Sequence, residues 1–328
     1  FLARTITHKL YDANEQIRIS QEIVLGIGGF KMLEALQHNI DIYHLNEGHA
    51  APLIFSLYNK YGNRKEVQQK IVFTTHTPEN EGNEEYNVML LHKMGFFDGL
   101  SIENVHEITG IRNGTLNLTF LALRFSKKAN AVSEIHRKIA NEIWESDTEA
   151  AKIITINNAQ NRRFWADKSL VSALDEHEDY LIVSNKKHLK RLLFDIVADQ
   201  TGKMFDPDVL TIVWAKRFVE YKRPGLIKYD IERFIKLIEH SNHPIQMIWA
   251  GKPHPTDSNA INMFNEIIDF SKHHKRVAVL FQHELHLSQA LKQGADVWLN
   301  TPRSGREISE CSGMSAFMNG AINFSIYD

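Results

Sequence analysis

VLTIVWAKRFVEYKRPG, residues 209 to 225, joins an apolar run to four cations and a proline. The run from Val209 to Ala215 is β-branched and aromatic without polar alternation, the pattern of a strand covered on both faces, as in a parallel sheet. Lys216, Arg217, Lys222 and Arg223 fall at its carboxyl end. In open α/β sheets ligands bind at that edge, and backbone N–H groups opening the next helix favour an anion. Phe218 and Tyr221 lie among the cations, which distinguishes the segment from a freely solvated basic turn. A phosphate is the expected guest.

Outward from this stretch the second half repeats strand and helix. Strands are expected at 209–215, 244–250, 277–282, 296–300 and 321–325, a doubly wound sheet. The first half has the same rhythm. IDIYHLNEGHAA gives a short strand, a polar loop and a helix from about Pro52 to Tyr61, and KIVFTTHTPENEGN gives a second buried strand ending at His76. Successive βαβ loops line one sheet edge, so Asn46, Glu47, His49 and His76 are expected to converge. Helices are expected around 116–126 and 134–144, on either side of a strand at 129–132. Glu15 to Leu36 carries apolar residues at helical spacing, interrupted by Gly26, Gly28 and Gly29. IVLGIGGF follows no strand and lacks the GxGxxG spacing, which removes the dinucleotide and dehydrogenase reading; glycines that permit close packing are expected instead. NNAQNRRFW, residues 157 to 165, is rich in turn formers and marks the crossing between two domains, 1–160 and 161–328. Two such lobes facing each other place a cleft between them.

Composition narrows the function. With 38 basic and 40 acidic residues in 328, the net charge of −2 gives no electrostatic reason for a nucleic acid or an anionic membrane as partner. The single cysteine, Cys311, excludes an intramolecular disulfide and fits a reducing compartment. No apolar stretch approaches the ~20 residues of a membrane span. No metal-ligand pattern stands out. A soluble, cytoplasmic protein is expected.

HLNEGHAA, FTTHTPENEGN, AKRFVEYKRP, AGKPHPTD and GADVWLNTPR, in this order, resemble the bacterial α-glucan phosphorylases, relatives of glycogen phosphorylase. The resemblance runs from about Asn14 to the last residue and implies an internal fragment of a longer chain. It implies α/β architecture with two facing Rossmann-like lobes, the GT-B glycosyltransferase fold, each lobe incomplete. It also implies pyridoxal phosphate as cofactor and a hexosyltransferase activity, in which inorganic phosphate releases the terminal α-1,4-linked glucose of glycogen or maltodextrin as glucose 1-phosphate with retention. The partners would be glucan and phosphate, with a homodimer possible by analogy. Position by position, His76 matches a histidine that contacts the reacting glucose. Arg217 and Lys222 match the pair on substrate phosphate, where a bidentate guanidinium and a point-charge ammonium complement each other. Lys216 matches a lysine near the cofactor phosphate. Asn157 or Asn158 stands where an asparagine touches glucose, and Glu307 and Ser309 match residues that bind sugar hydroxyls. Cys311 and Ser312 occupy the cradle of the cofactor phosphate.

The pattern breaks at one place. REISECSGMSAFMNG puts Ser315 at the position of the lysine that forms the Schiff base, and serine has no amine. Glu310 replaces a glycine and brings a carboxylate towards a phosphate of nearly two negative charges. Weak or absent pyridoxal phosphate binding is therefore expected. Two alternatives follow: a catalytically lapsed relative that still binds glucan or phosphate, and a nucleotide-sugar glucan synthase of the same fold. The synthase pattern needs a glutamate at 315, which serine does not supply either.

Overall fold

In a computed structural model, residues 2–10, 12–77, 83–110, 114–144, 149–281, 284–303 and 311–326 are described. The chain divides into two units, 1–157 and 158–328.

The first unit is built on four parallel strands, β1 (Tyr43–Asn46), β2 (Ile71–Thr75), β5 (Lys128–Ala131) and β6 (Ile153–Thr155), in the order β1-β2-β5-β6. β3 (Glu85–Asn87) and β4 (Thr115–Asn117) form a separate antiparallel pair. Leu45 on β1 lies beside Phe73 on β2, and Phe73 beside Ala129 on β5. All three are buried with Phe55, Phe96 and Phe97, whose rings meet edge to face. The first long helix runs on through its three glycines, whose expected role is close packing. Asn14 caps it by accepting from the Ile17 N–H, and the chain continues through a π-helical turn at Val24–Gly28 into Gly29–Ala35. Gly26 is there for packing: a Cβ would stand 2.8 Å from the backbone nitrogen of Leu53. The expected helix at 116–126 begins as strand β4 and becomes helical only at Leu118–Arg124.

The second unit holds five parallel strands, β7 (Leu210–Ala215), β8 (Ile245–Ala250), β9 (Val277–Leu280), β10 (Val297–Asn300) and β11 (Ile322–Ser325), in the order β11-β10-β7-β8-β9. Side chains alternate between faces, and both faces are covered. Val213 and Ile248 pack with Leu193 and Leu291, from helices Asp179–Thr201 and Leu285–Gly294. Trp214 and Trp249, one residue on, pack with Phe264 and Ile267 of helix Ser258–Lys272. That two-sided burial is why the sequence shows no polar alternation here. From β7 the chain winds outwards through β8 and β9, then returns to β7's other side with β10 and β11. The winding therefore reverses between β7 and β10, where an α/β sheet opens a crevice at its carboxyl ends.

Candidate functional site

The loops after β7 and β10 meet at this reversal. Lys216 leaves β7 with its N–H donated to the Ala250 carbonyl, 3.1 Å away, and Phe218 is bonded through its N–H to the Lys252 carbonyl. Gly251 makes this close approach possible: its φ is +136°, and a Cβ there would lie 2.0 Å from the Lys216 carbonyl oxygen. The Phe218 ring is fully buried against Trp214 and Phe264, at centroid distances of 4.9 and 4.6 Å. The aromatic residues among the cations thus fasten the loop to the core.

The four cations separate into different roles. Arg223 adopts a left-handed backbone and donates from Nε to the Thr301 carbonyl (2.9 Å) and from a terminal nitrogen to the Pro302 carbonyl (2.6 Å). It is a staple between the two loops. Lys216 is buried, and Lys222 is half-buried with Nζ 5.8 Å from the Tyr221 ring centroid. Arg217 is exposed and has no hydrogen bond or ion pair among the described residues. Its guanidinium is the cation of this loop most available to an incoming anion.

In the first unit, β1 and β2 end side by side. His76 Nε2 lies 2.8 Å from Asn46 Oδ1, and the His76 N–H and Thr77 hydroxyl both donate to Glu47 Oε1. Glu47 holds that position at φ 59°, unusual for a residue with a side chain. Burial lowers the His76 pKa, against the pull of Glu47. The ring is therefore neutral at pH 7 and suited to hydrogen-bond a hydroxyl rather than attract an anion. Asn46, Glu47 and His76 do come together as expected. His49 turns to another group: its Nδ1 is 2.7 Å from an Arg18 nitrogen and 3.6 Å from Glu84 Oε2.

That group, Arg18, Glu22, His49 and Glu84, was not visible in the sequence. Arg18 Nε donates to Glu84 at 2.7 Å, and Tyr86 donates to the buried Glu22. Ligand-type atoms of Glu22, His49 and Glu84 lie within 4.8 Å of one another. Arg18, donating to both His49 and Glu84, already supplies the cation. His136 was also missed. It is fully buried at the start of helix Glu134–Trp144, and burial, with nearby His76 adding to it, pushes it down to about 4. Its only sequence signal is a histidine three residues after a helix-opening serine, Ser133, whose hydroxyl accepts from the His136 N–H.

Glu307, Ser309 and Glu310 lie outside the described residues. Asn157 is exposed, and Asn158 donates from Nδ2 to Cys311 Sγ at 3.3 Å. The Ser312 hydroxyl is 3.3 Å from Trp298 Nε1. Ser315 is fully buried within helix Cys311–Phe317, its hydroxyl donating back to the carbonyls of Cys311 (3.0 Å) and Ser312 (3.1 Å).

Two parallel-sheet α/β units in one chain, the second with a cationic loop at its switch point, are consistent with the GT-B class of glycosyltransferases. The carbohydrate phosphorylase family model matches residues 143–328, more than half of the chain, and the chain belongs to that family. A starch synthase catalytic domain model matches residues 6–155. An uncharacterized protein of Methanocaldococcus jannaschii is 43% identical over 326 residues, covering 99% of this chain and 62% of its own length. Maltodextrin phosphorylase of Thermococcus litoralis is 30% identical over 376 residues, and glycogen phosphorylase of Aquifex aeolicus 29% over 383; each match covers 99% of this chain. The chain spans 45% and 55% of those two relatives. Among the described residues, no helix is long and apolar enough to cross a membrane.

Proposed function

We propose that this protein acts in α-glucan phosphorolysis, binding inorganic phosphate and the terminal α-1,4-linked glucose of a glucan and yielding glucose 1-phosphate. The observation that carries the reading is the cationic loop at the β7/β10 switch point, with Arg217 exposed and Lys222 half-buried in the same loop. Arg217 is assigned to grip two phosphate oxygens and Lys222 to neutralise the remaining charge. Lys216, at the end of β7, would add positive potential from beneath. His76, neutral and oriented by Asn46 and Glu47, is assigned to a glucose hydroxyl; Asn157, Glu307 and Ser309 remain assigned to sugar by resemblance. In the reaction a phosphate oxygen forms the new bond to C1, the glycosidic bond breaks, and the leaving 4-hydroxyl takes a proton from phosphate.

Pyridoxal phosphate, which the resemblance implies, does not fit position 315 as an imine. The side chain there is a hydroxyl, wholly buried and committed to two helix carbonyls. No step is assigned to that group. The same observation favours a second reading, a relative that binds glucan and phosphate without turnover. The starch synthase match over 6–155 supports a third, transfer from a nucleotide sugar.

The test is phosphate-dependent release of glucose 1-phosphate from maltoheptaose, with and without added pyridoxal phosphate, beside calorimetric titration of both ligands. Release that disappears in Arg217→Ala supports phosphorolysis. Saturable binding without release selects the second reading, and glucose transfer from ADP-glucose selects the third.

A further inference from the structure

The second sheet carries a pocket at its other edge. Asp208 precedes β7, Asp296 precedes β10 and Gly320 precedes β11, and all three line a cavity of about 320 Å³. The cavity therefore lies at the amino ends of the strands, whereas the cationic loop leaves their carboxyl ends. Its volume falls at the lower end of the range of small-molecule sites, ~300–1,000 Å³. Val183 and Asp208, which also border it, are exposed, so it opens to solvent.

Three lysines of helix Asp179–Thr201, Lys186, Lys187 and Lys190, share this pocket with two aspartates. Lys187 pairs with Asp208, and Lys190 with Asp296, which also accepts the Thr211 N–H. Lys186 is left over. Its Nζ donates to the carbonyls of Gln293 and Asn319, both at 2.7 Å, and among the described residues it has no ion pair. An ammonium has three N–H donors, so one remains. Two carbonyls offer dipoles but no net counter-charge. Burial accordingly pushes Lys186 down to about 8, against the pull of Asp296. The pocket thus holds one unmatched positive charge, and its other walls include Leu170, Ile182 and Pro207. We infer that it is a second ligand site, taking a small organic carboxylate whose charged end meets Lys186 and whose hydrocarbon part covers Leu170, Ile182 and Pro207. The charge-assisted hydrogen bond fixes the carboxylate, and the apolar body removes hydrocarbon surface from water. A phosphate dianion is disfavoured, because its second charge would meet only the carboxylates of Asp208 and Asp296 and the lysines they already neutralise. The inference stands on the amino edge of the second sheet and does not depend on glucan chemistry.

The test is calorimetric titration of the intact chain at neutral pH with hexanoate, and with hexanamide as its uncharged counterpart. The expected result is saturable one-to-one binding of hexanoate, with hexanamide weaker by at least about tenfold. Lys186→Gln, which removes the charge but can still donate to a carbonyl, should weaken hexanoate by a similar factor, and Arg217→Ala should leave it unchanged. The comparison of the two ligands needs no variant, so it decides the matter even if Lys186→Gln does not fold. No saturable binding at millimolar hexanoate, equal binding of hexanamide, or full affinity in Lys186→Gln would each overturn the inference. Loss of hexanoate binding in Arg217→Ala would place the carboxylate in the loop after β7 and would overturn it as well. A failed phosphorolysis assay would leave it standing.

Discussion

Arg223 and Thr301 hold each other reciprocally: the arginine Nε donates to the Thr301 carbonyl at 2.9 Å, and the Thr301 hydroxyl is 3.1 Å from the Arg223 carbonyl. The loops that follow β7 and β10 are thus tied together before any ligand arrives. Charge-assisted hydrogen bonds contribute roughly 1.5–3 kcal/mol each. Arg223→Ala is expected to lower stability by about 2 kcal/mol in urea unfolding and to weaken phosphate binding indirectly. Arg223→Lys, which keeps the charge but loses the planar fork, should recover only part of the stability. Full recovery would mean that charge alone holds the loops.

Arg217 makes the opposite prediction. It is exposed and carries no described partner, so Arg217→Ala should leave the melting temperature within a degree or so. Phosphate affinity should fall about tenfold or more, equivalent to about 1.4 kcal/mol. Calorimetric titration with phosphate decides the matter, and unchanged affinity would remove Arg217 from the anion site.

Gly251 tests how the loop is built. Gly251→Ala combines a φ of +136° with a Cβ 2.0 Å from the Lys216 carbonyl oxygen, which is backbone and cannot swing aside. A loss of more than about 2 kcal/mol is expected, read as a fall in the urea midpoint at constant slope. A neutral result would show that the strands part easily at this point.

Much of the second sheet could be read from the chain, for a physical reason. Val213, Trp214, Ile248 and Trp249 are all buried because helices cover both faces, and two-sided burial leaves an uninterrupted apolar run. The expected strand at 277–282 ends at Leu280, before Phe281, which is apolar but exposed. The strand ends also placed Asn46, Glu47 and His76 correctly, since parallel strands bring their loops to one edge. Contacts between segments far apart in sequence left no trace. Arg18 meets Glu84 across 66 positions, and no local pattern announces such a pair. The four cations of residues 216–223 read as one cluster, and only the carbonyls of Thr301 and Pro302 reveal that Arg223 is structural. Close packing is the expected role of the glycines at 26, 28 and 29, and at Gly26 the neighbour is the Leu53 backbone, a partner that no local pattern names.

Glu22 and Glu84 give a pH prediction whose sign follows from their unequal surroundings. Burial, reinforced by the hydrogen bond with Glu84, raises the Glu22 carboxyl far above its ordinary range. Burial also works against ionised Glu84, but hydrogen bonds with His49, Arg18 and Glu22 outweigh it and hold that carboxyl below the usual range. Glu22 therefore keeps its proton in the folded protein at neutral pH, whereas in the unfolded chain it loses it near pH 4.5. The folded state binds more protons across this interval, so the contribution of Glu22 is fully present below its unfolded pKa and is lost as pH rises through neutrality. Glu84 acts in the opposite window, losing its contribution as pH falls below the ordinary carboxylate range. Glu22→Gln replaces the protonated acid by a neutral group that can still donate to Glu84. It should change stability little at pH 4 and raise it by at least about 1 kcal/mol at pH 8, where the native side chain must retain a proton against solvent. Urea unfolding at the two pH values measures both. A variant less stable at pH 8 than the native protein, by more than at pH 4, would show that Glu22 is ionised in the fold and that Arg18 is its true counter-charge.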